Sequence, residues 1–130
     1  VLSYNHGQGY KKEDVSMTKA GQREIIKAEH AYGGEGYITK EMLISDEARG
    51  EHCKMYAKVT VPSGCEIGYH VHQGDEEGYY ILTGTGVYND NGTEMPLEPG
   101  DSFFCKEGDG HGIKNTGDED ITFVALILKK

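Results

Sequence analysis

The sequence contains no apolar run approaching the roughly 20 residues that a helix needs to cross a bilayer. Positive charge is also scarce, because 13 lysines and arginines stand against 22 aspartates and glutamates, for a formal net charge of −9. Nucleic acids and anionic membranes attract basic surfaces, so neither is expected as a partner. The first residues also lack the basic and then apolar pattern of a signal peptide. These absences exclude several classes of protein without identifying a ligand.

Cysteine is scarce as well, and its spacing favours free thiols. The three cysteines, Cys53, Cys65 and Cys105, are odd in number and form no CxxC pair. A disulfide framework normally uses an even number of cysteines in an oxidising compartment. The sequence therefore predicts reduced thiols in a cytoplasmic protein.

Glycine, by contrast, is abundant, with 19 residues in a chain of 130, about twice the usual share. Glycine, proline, asparagine and aspartate separate short segments in which apolar residues recur with period two. In residues 54–62, for example, one face would carry Met55, Ala57, Val59 and Val61. This pattern is typical of an all-β protein with about eight to ten short strands, a sandwich or a barrel such as a jelly roll.

The chain divides into a weakly patterned start and a strongly patterned remainder. Residues 1–36 are predicted to form an N-terminal arm or edge segment, and residues 37–130 the β-barrel domain. Within the arm, residues 22–30 are compatible with a short helix or with an irregular strand, and both alternatives stay open. The last predicted strand, residues 121–128, is apolar on both faces and is expected to be central. Further strands are predicted at 37–44, 54–62, 66–72, 77–84 and 102–105, with a hairpin turn at Asp90-Asn91-Gly92.

The segment 68–84 places two histidines and two glutamates close together. Side chains at i and i+2 share one face of a strand, so His70 and His72 would lie about 7 Å apart along it. A turn at residues 73–76 would bring the chain back, so that Glu77 reaches the same point from the neighbouring strand. His70, His72 and Glu77 could then bind one metal ion. His111, which follows a glycine-rich loop, is the candidate for a fourth ligand of that ion. The alternative is a polar hairpin that faces water.

In the spacing of these residues, the sequence resembles the cupin superfamily. The first cupin motif, G-x5-H-x-H-x3,4-E-x6-G, is matched at every fixed position by Gly64, His70, His72, Glu77 and Gly84. The six-residue gap before Gly84 selects Glu77, whereas the shorter gap in the motif would select Glu76.

The second cupin motif, G-x5-P-x-G-x2-H-x3-N, is matched by Gly100, Gly108, His111 and Asn115. Its proline is replaced by Lys106, beside the loop of the expected site. The resemblance implies a jelly-roll β-barrel of two antiparallel sheets that binds one divalent metal. The metal ligands it implies are His70, His72, Glu77 and His111.

Three imidazoles and one carboxylate suit Mn, Fe, Co, Ni, Cu or Zn, and the ligand set alone does not choose among them. The leading hypothesis is a metal-dependent enzyme of the isomerase, decarboxylase or dioxygenase type, acting on a small oxygenated metabolite such as a sugar or an organic acid. The alternative is a non-catalytic cupin that binds or senses a small molecule. A homodimer is expected, because an exposed sheet edge needs covering.

Further residues are candidates for the substrate site or for structural roles. Tyr79 shares the inward face of its strand with Glu77, so it is the candidate acid or substrate-binding hydroxyl, with a packed aromatic as the alternative reading. Cys105 and Lys106 are candidates for substrate binding, against a buried thiol and a surface lysine. Asn115 is expected to fix a turn by hydrogen bonds.

Overall fold

The computed structural model describes residues 17–130, together with the backbone of two short strands, β1 (Tyr4–Asn5) and β2 (Gly9–Tyr10), which pair antiparallel. Most of the predicted arm before residue 17 therefore lies outside the described residues. Within the described part of the chain, no helix is long and apolar enough to cross a membrane.

Ten further strands follow along the chain, and all of their pairings are antiparallel. They are β3 (Ile25–Glu29), β4 (Tyr37–Met42), β5 (Cys53–Val61), β6 (Glu66–Val71), β7 (Asp75–Thr83), β8 (Gly86–Asp90), β9 (Thr93–Leu97), β10 (Ser102–Cys105), β11 (Gly110–Lys114) and β12 (Ile121–Lys129). One sheet has six strands in the order β10-β7-β12-β5-β4-β3, and a second has four in the order β6-β11-β8-β9. The all-β jelly-roll prediction is confirmed.

The core lies between the two sheets, because along each strand apolar side chains that point inward alternate with side chains that point outward. On β7, Tyr79 and Ile81 are buried while Tyr80 and Leu82 are exposed, as the period of two predicts. The sheets meet where Tyr88 of β8 stacks on Phe103 of β10, with ring centroids 3.9 Å apart. The apolar strand β12 is central, between β5 and β7, as expected.

The N-terminal region extends the larger sheet. Residues 25–29 form β3, which pairs with β4, so the strand alternative holds for this segment and the helix alternative is wrong. A single 3-10 turn, Ala31–Gly33, joins the two strands. The division of the chain at residue 36 stays a prediction, but the described part of the arm is integral to the sheet from Ile25 onward.

Two turns follow from their sequences. Asn91 and Gly92 both have positive φ, 51° and 100°, in the two-residue connection between β8 and β9, which is the conformation that Asn-Gly favours. Asn115 donates from its amide to the carbonyls of Val61 and Glu119 and accepts from the Gly117 N–H. The expectation that Asn115 fixes a turn is confirmed.

Candidate metal centre

Four side chains from both sheets converge at one end of the barrel interior. His70 on β6 and His111 on β11 lie directly opposite each other in the smaller sheet. His72 follows the end of β6, and Glu77 reaches in from β7 of the larger sheet. One ligand atom from each of the four residues lies within 4.8 Å of the others. The structure therefore brings together the four residues that the sequence predicts as metal ligands.

The facing ring nitrogens and the carboxylate of this cluster lie within hydrogen-bonding distance of one another. The Nε2 atoms of His72 and His111 are 3.0 Å apart, and each lies 3.1 Å from Oε1 of Glu77. The ring of His70 lies 5.1 Å from that of His72 and 4.7 Å from that of His111, centroid to centroid. Three of the four residues are buried, and His70 is half-buried.

Each imidazole is held from behind by a hydrogen bond at its Nδ1 atom. The carbonyl of Gly68 lies 2.8 Å from Nδ1 of His70, and the carboxylate of Asp75 lies 2.7 Å from Nδ1 of His72. Both partners only accept, so these two Nδ1 atoms carry the proton, and in the neutral ring Nε2 is left unprotonated. The hydroxyl of Tyr88 lies 2.9 Å from Nδ1 of His111 and can accept in the same way.

This arrangement fits a metal ion. A ligating histidine usually donates its other ring N–H to a carboxylate, a carbonyl or a hydroxyl, which fixes the ring orientation. Here all three rings have such a partner, and their second nitrogens face one another and a carboxylate. Without a cation, lone pairs would oppose one another at about 3 Å or protons would have to be shared. The donor set of three nitrogens and one oxygen suits a divalent transition metal.

The titration behaviour follows from these contacts. Burial raises the pKa of Glu77, but hydrogen bonds with His111 and His72 outweigh burial and hold it below its ordinary value. The pKa of His72 is raised, mainly by its hydrogen bond to Glu77, with burial opposing and Asp75 adding to the effect. The pKa of His70 is lowered, mainly because burial disfavours its charged form. In the metal-free protein, His72 and Glu77 form an ion pair in weakly acidic solution.

A small cavity opens from this cluster toward the surface. Its volume is about 50 Å³, and His70, His72, Glu77 and Tyr79 form its polar wall. It continues into an outer pocket of about 420 Å³ that shares Tyr32, Lys40 and Met55 with it. The inner volume suits a ligand of a few heavy atoms, and the outer pocket gives it a path from solvent.

The loop between β3 and β4 places an aromatic ring over the cluster. Tyr32 stacks on His70 with ring centroids 3.8 Å apart and planes 11° from parallel, while its side chain stays largely exposed. His30 and Tyr32 both have φ of 50°, a conformation uncommon for residues with a side chain. The loop can lie so close to β6 because Gly34 and Gly68 have no Cβ there; a Cβ at Gly34 would lie 2.6 Å from the carbonyl oxygen of Glu66.

The structure places the other predicted site residues as follows. Tyr79 lines the cavity, packs on His111 at 4.9 Å between centroids, and has a pKa raised well above its ordinary value by burial. Cys105 is buried, and burial raises the pKa of its thiol to about 11. Lys106 is exposed, outside the cavity described above. Glu76 points away from the cluster and pairs with Lys130 at 3.8 Å.

Sequence reasoning missed the residues that hydrogen-bond to the histidines of the cluster or stack on them. It placed Asp75 in a turn, but the turn is confined to residues 73–74, and Asp75 opens β7 because its backbone pairs with Lys129. Its carboxylate is buried between His72 and the ammonium of Lys54, each 2.7 Å away. Tyr88 and Tyr32 were also missed. The alternation of inward and outward side chains along β8 could have indicated that Tyr88 points into the barrel. No pattern in the sequence indicates that Tyr32 reaches the site.

Comparison with known proteins is consistent with this geometry. The family model described as the cupin domain matches residues 57–127, more than half of the chain. A protein of Thermotoga maritima named oxalate-binding protein is 41% identical over 96 residues, which cover 74% of this chain and 79% of that protein. An uncharacterized protein of Methanocaldococcus jannaschii is 30% identical over 83 residues, covering 64% of this chain and 66% of that protein.

Solved structures give the same grouping. The crystal structure of a predicted oxalate decarboxylase from Thermotoga maritima superposes with a TM-score of 0.81 at 35% identity, covering 86% of this chain and 97% of that one. An RmlC-like cupin from Shewanella frigidimarina superposes with a TM-score of 0.71 at 20% identity, covering 88% and 90% of the two chains, and this likeness shows the fold alone.

Proposed function

The chain belongs to the cupin family, and on that premise we propose that it binds a divalent transition metal and uses it to hold a small oxygenated acid, with dicarboxylates such as oxalate as the ligand class. The proposed metal ligands are His70, His72, Glu77 and His111. The observation that carries the proposal is the convergence of these four side chains on one point at the base of an open cavity. The relative named oxalate-binding protein supports the ligand class.

The residues around the cluster have distinct roles in this proposal. Gly68, Asp75 and Tyr88 hold the three imidazoles so that Nε2 faces the metal position. Tyr79 keeps its proton, because burial raises its pKa, and it can donate a hydrogen bond to a ligand in the cavity. When bound, the metal supplies Lewis acidity and coordination positions for oxygen ligands. Its identity, among Mn, Fe, Co, Ni, Cu and Zn, is left to experiment.

A second candidate is a metal-dependent enzyme that isomerises, decarboxylates or oxygenates such a ligand. The open cavity beside the cluster favours it, because a reacting molecule could enter. Tyr79 is the proposed proton-handling residue in that case. Its raised pKa keeps it protonated near neutral pH, so its role there would be that of a hydrogen-bond donor or a general acid.

Elemental analysis of purified protein tests the metal proposal. We expect close to one metal ion per chain in the native protein and a large loss in the double variant His70→Ala/His111→Ala. His52→Ala is the matched control, because the side chain of His52 is 86% exposed. Absence of metal from the native protein even after reconstitution would refute the proposal.

Thermal unfolding with oxalate tests the ligand class. A ligand at 100 times its Kd stabilises by about 2.7 kcal/mol, so the metal-loaded protein should melt several degrees higher in oxalate. The double variant should not respond, and metal content measured after the titration shows whether oxalate has merely extracted the ion. Release of a product from oxalate would favour the enzyme over the binding protein.

We also propose a cytoplasmic homodimer. Three free cysteines are consistent with a reducing compartment. On the outer face of the larger sheet, neighbouring strands bring Tyr56, Leu126 and Phe104 into one exposed row. Gly78 lies within that row, and Tyr80 is exposed beside it. An exposed apolar band across a sheet is typical of an interaction surface, and a second copy of the chain is the proposed occupant.

A further inference from the structure

One lysine faces the interior of the barrel. On β4, Lys40 lies between the inward residues Ile38 and Met42, and it pairs in register with the buried Val59 of β5. Residues directly opposite on neighbouring strands share a face, so the side chain of Lys40 starts from the inner wall. Lys40 lines both the inner cavity and the outer pocket.

This lysine has no ion-pair partner among the residues that the structure describes. The other lysine of the outer pocket, Lys54, is paired with Asp75 at 2.7 Å. Apolar side chains of Ile38, Met55 and Val59 line the inner cavity beside Lys40. Lys40 is partly buried, and no acidic side chain among the described residues pairs with it, so its ammonium group is available to pair with an anion that enters the cavity.

The charges around the cavity, counted with a divalent metal bound, would be balanced by a ligand with two negative charges. A divalent metal offset by Glu77 leaves one positive charge at the cluster. Lys54 and Asp75 cancel each other, and Lys40 adds a second positive charge. With the metal bound, the pocket would therefore be cationic within a chain of net charge −9. A small dicarboxylate brings two negative charges, whereas a hydroxy acid of similar size brings one.

We propose that Lys40 is a specificity-determining residue that pairs with the outward carboxylate oxygens of a dicarboxylate whose other oxygens face the metal position. This inference rests on the proposed function and adds to it the residue that separates dianions from monoanions. Lys40 recognises the charge of the ligand, while His70, His72, Glu77 and His111 recognise its chelating oxygens.

The experiment is calorimetric titration of metal-loaded protein with oxalate and with glycolate, which offers one carboxylate and one hydroxyl. We expect Lys40→Met to weaken oxalate binding about tenfold and glycolate binding much less, because only oxalate carries the charge that Lys40 pairs with. Lys40→Arg should retain most of the preference for oxalate. Lys58→Met is the matched control, since Lys58 lies on the outer face of β5, and it should bind like the native protein.

Metal content is measured for every variant and should stay unchanged. Equal weakening of oxalate and glycolate in Lys40→Met, or no weakening of either, would overturn the inference while leaving the proposed function standing. If the native protein binds metal but neither acid, the proposed ligand class fails and the inference fails with it. Lys40→Gln, which keeps a long polar side chain, replaces Lys40→Met if the methionine variant does not fold, and the same outcomes then decide.

Discussion

The carboxylate of Asp75 accepts a 2.7 Å hydrogen bond from Nδ1–H of His72, and this contact fixes which ring nitrogen of His72 faces the cluster. Lys54 holds the other oxygen of Asp75 at the same distance, so the carboxylate is oriented from both sides. The pKa of Asp75 lies below its ordinary value because these two contacts outweigh the burial that would raise it. A charged acceptor behind His72 makes its Nε2 a stronger ligand.

Replacement of Asp75 by asparagine is expected to weaken metal affinity about tenfold. Asparagine keeps an oxygen that can accept the hydrogen bond from His72, but it lacks the negative charge. The orientation of the His72 ring should therefore be largely retained, whereas the basicity of its Nε2 atom should fall. Competition with a chelator of known affinity measures the change. Glu76→Gln is the control, since Glu76 pairs with Lys130 away from the cluster. Equal affinity in the two variants would show that Asp75 does not support His72.

The stability of the metal-free and metal-loaded proteins should depend on pH with opposite signs above pH 6.5. The pKa of His72 is raised above 6.5 in the folded state, mainly by its bond to Glu77, so the folded protein holds this proton where the unfolded chain has released it. The lowered pKa of His70 acts in the opposite sense near pH 6.5, and its effect fades as the pH rises and the unfolded imidazole loses its proton. The free energy of unfolding of the metal-free protein then falls as the pH rises through the folded pKa. Metal binding needs neutral imidazoles, so metal affinity and its stabilisation rise with pH.

Urea unfolding at several pH values between 6.5 and 8, with chelator or with excess metal, measures both slopes. The gap between the two curves should widen as the pH rises. In His72→Gln the slope of the metal-free protein should flatten. Parallel curves for the native protein would contradict the charged His72–Glu77 pair.

Substitution of Gly68 by alanine is expected to lower the free energy of unfolding by about 1–3 kcal/mol. A Cβ at Gly68 would collide with the carbonyl oxygen of Tyr32, so the Ala31–Gly33 turn would have to move away from β6. Gly50→Ala is the control, because a Cβ there meets nothing within 4 Å, and it should change stability by less than about 0.5 kcal/mol. Similar unfolding midpoints for the two variants would show that the turn is not seated on Gly68.

The proposed dimer makes a prediction about charge on the outer sheet face. Light scattering should give twice the mass of the chain for the native protein and the mass of one chain for Phe104→Glu/Leu126→Glu. Ile25→Glu is the control, since Ile25 is 67% exposed at the opposite edge of the same sheet and should leave the dimer intact. A native monomer at micromolar concentration would refute the proposal.

Local sequence signals predicted that His70, His72, Glu77 and His111 converge, because the two motifs combine periodicity with short connections. The segments that carry His70 and Glu77 are joined by a turn of two residues. The alternation of side chains along each strand therefore determines which of them meet. The supporting groups depend on distances that span the chain. Lys40 and Tyr32 reach the cavity from β4 and the loop before it, more than 30 residues before His72, and no local pattern predicts that approach.

The N-terminal segment was ambiguous for a related reason. Residues 25–29 carry no buried side chain, and β3 is an edge strand that is held by its pairing with β4. Such a strand forms because its backbone pairs with the neighbouring strand. Its sequence has no alternation of apolar and polar residues from which the strand could be predicted. The helix reading was wrong because sheet pairing overrides a weak local preference.

Strand β7 carries two surfaces that its alternation keeps apart. Glu77 and Tyr79 face the cavity, while Gly78 and Tyr80 lie in and beside the exposed apolar row. An insertion or deletion of one residue between Asp75 and Thr83 would exchange the two surfaces. In divergent descendants of this chain, length changes should therefore collect at hairpin tips such as Asn91-Gly92, and β7 should change only by substitution.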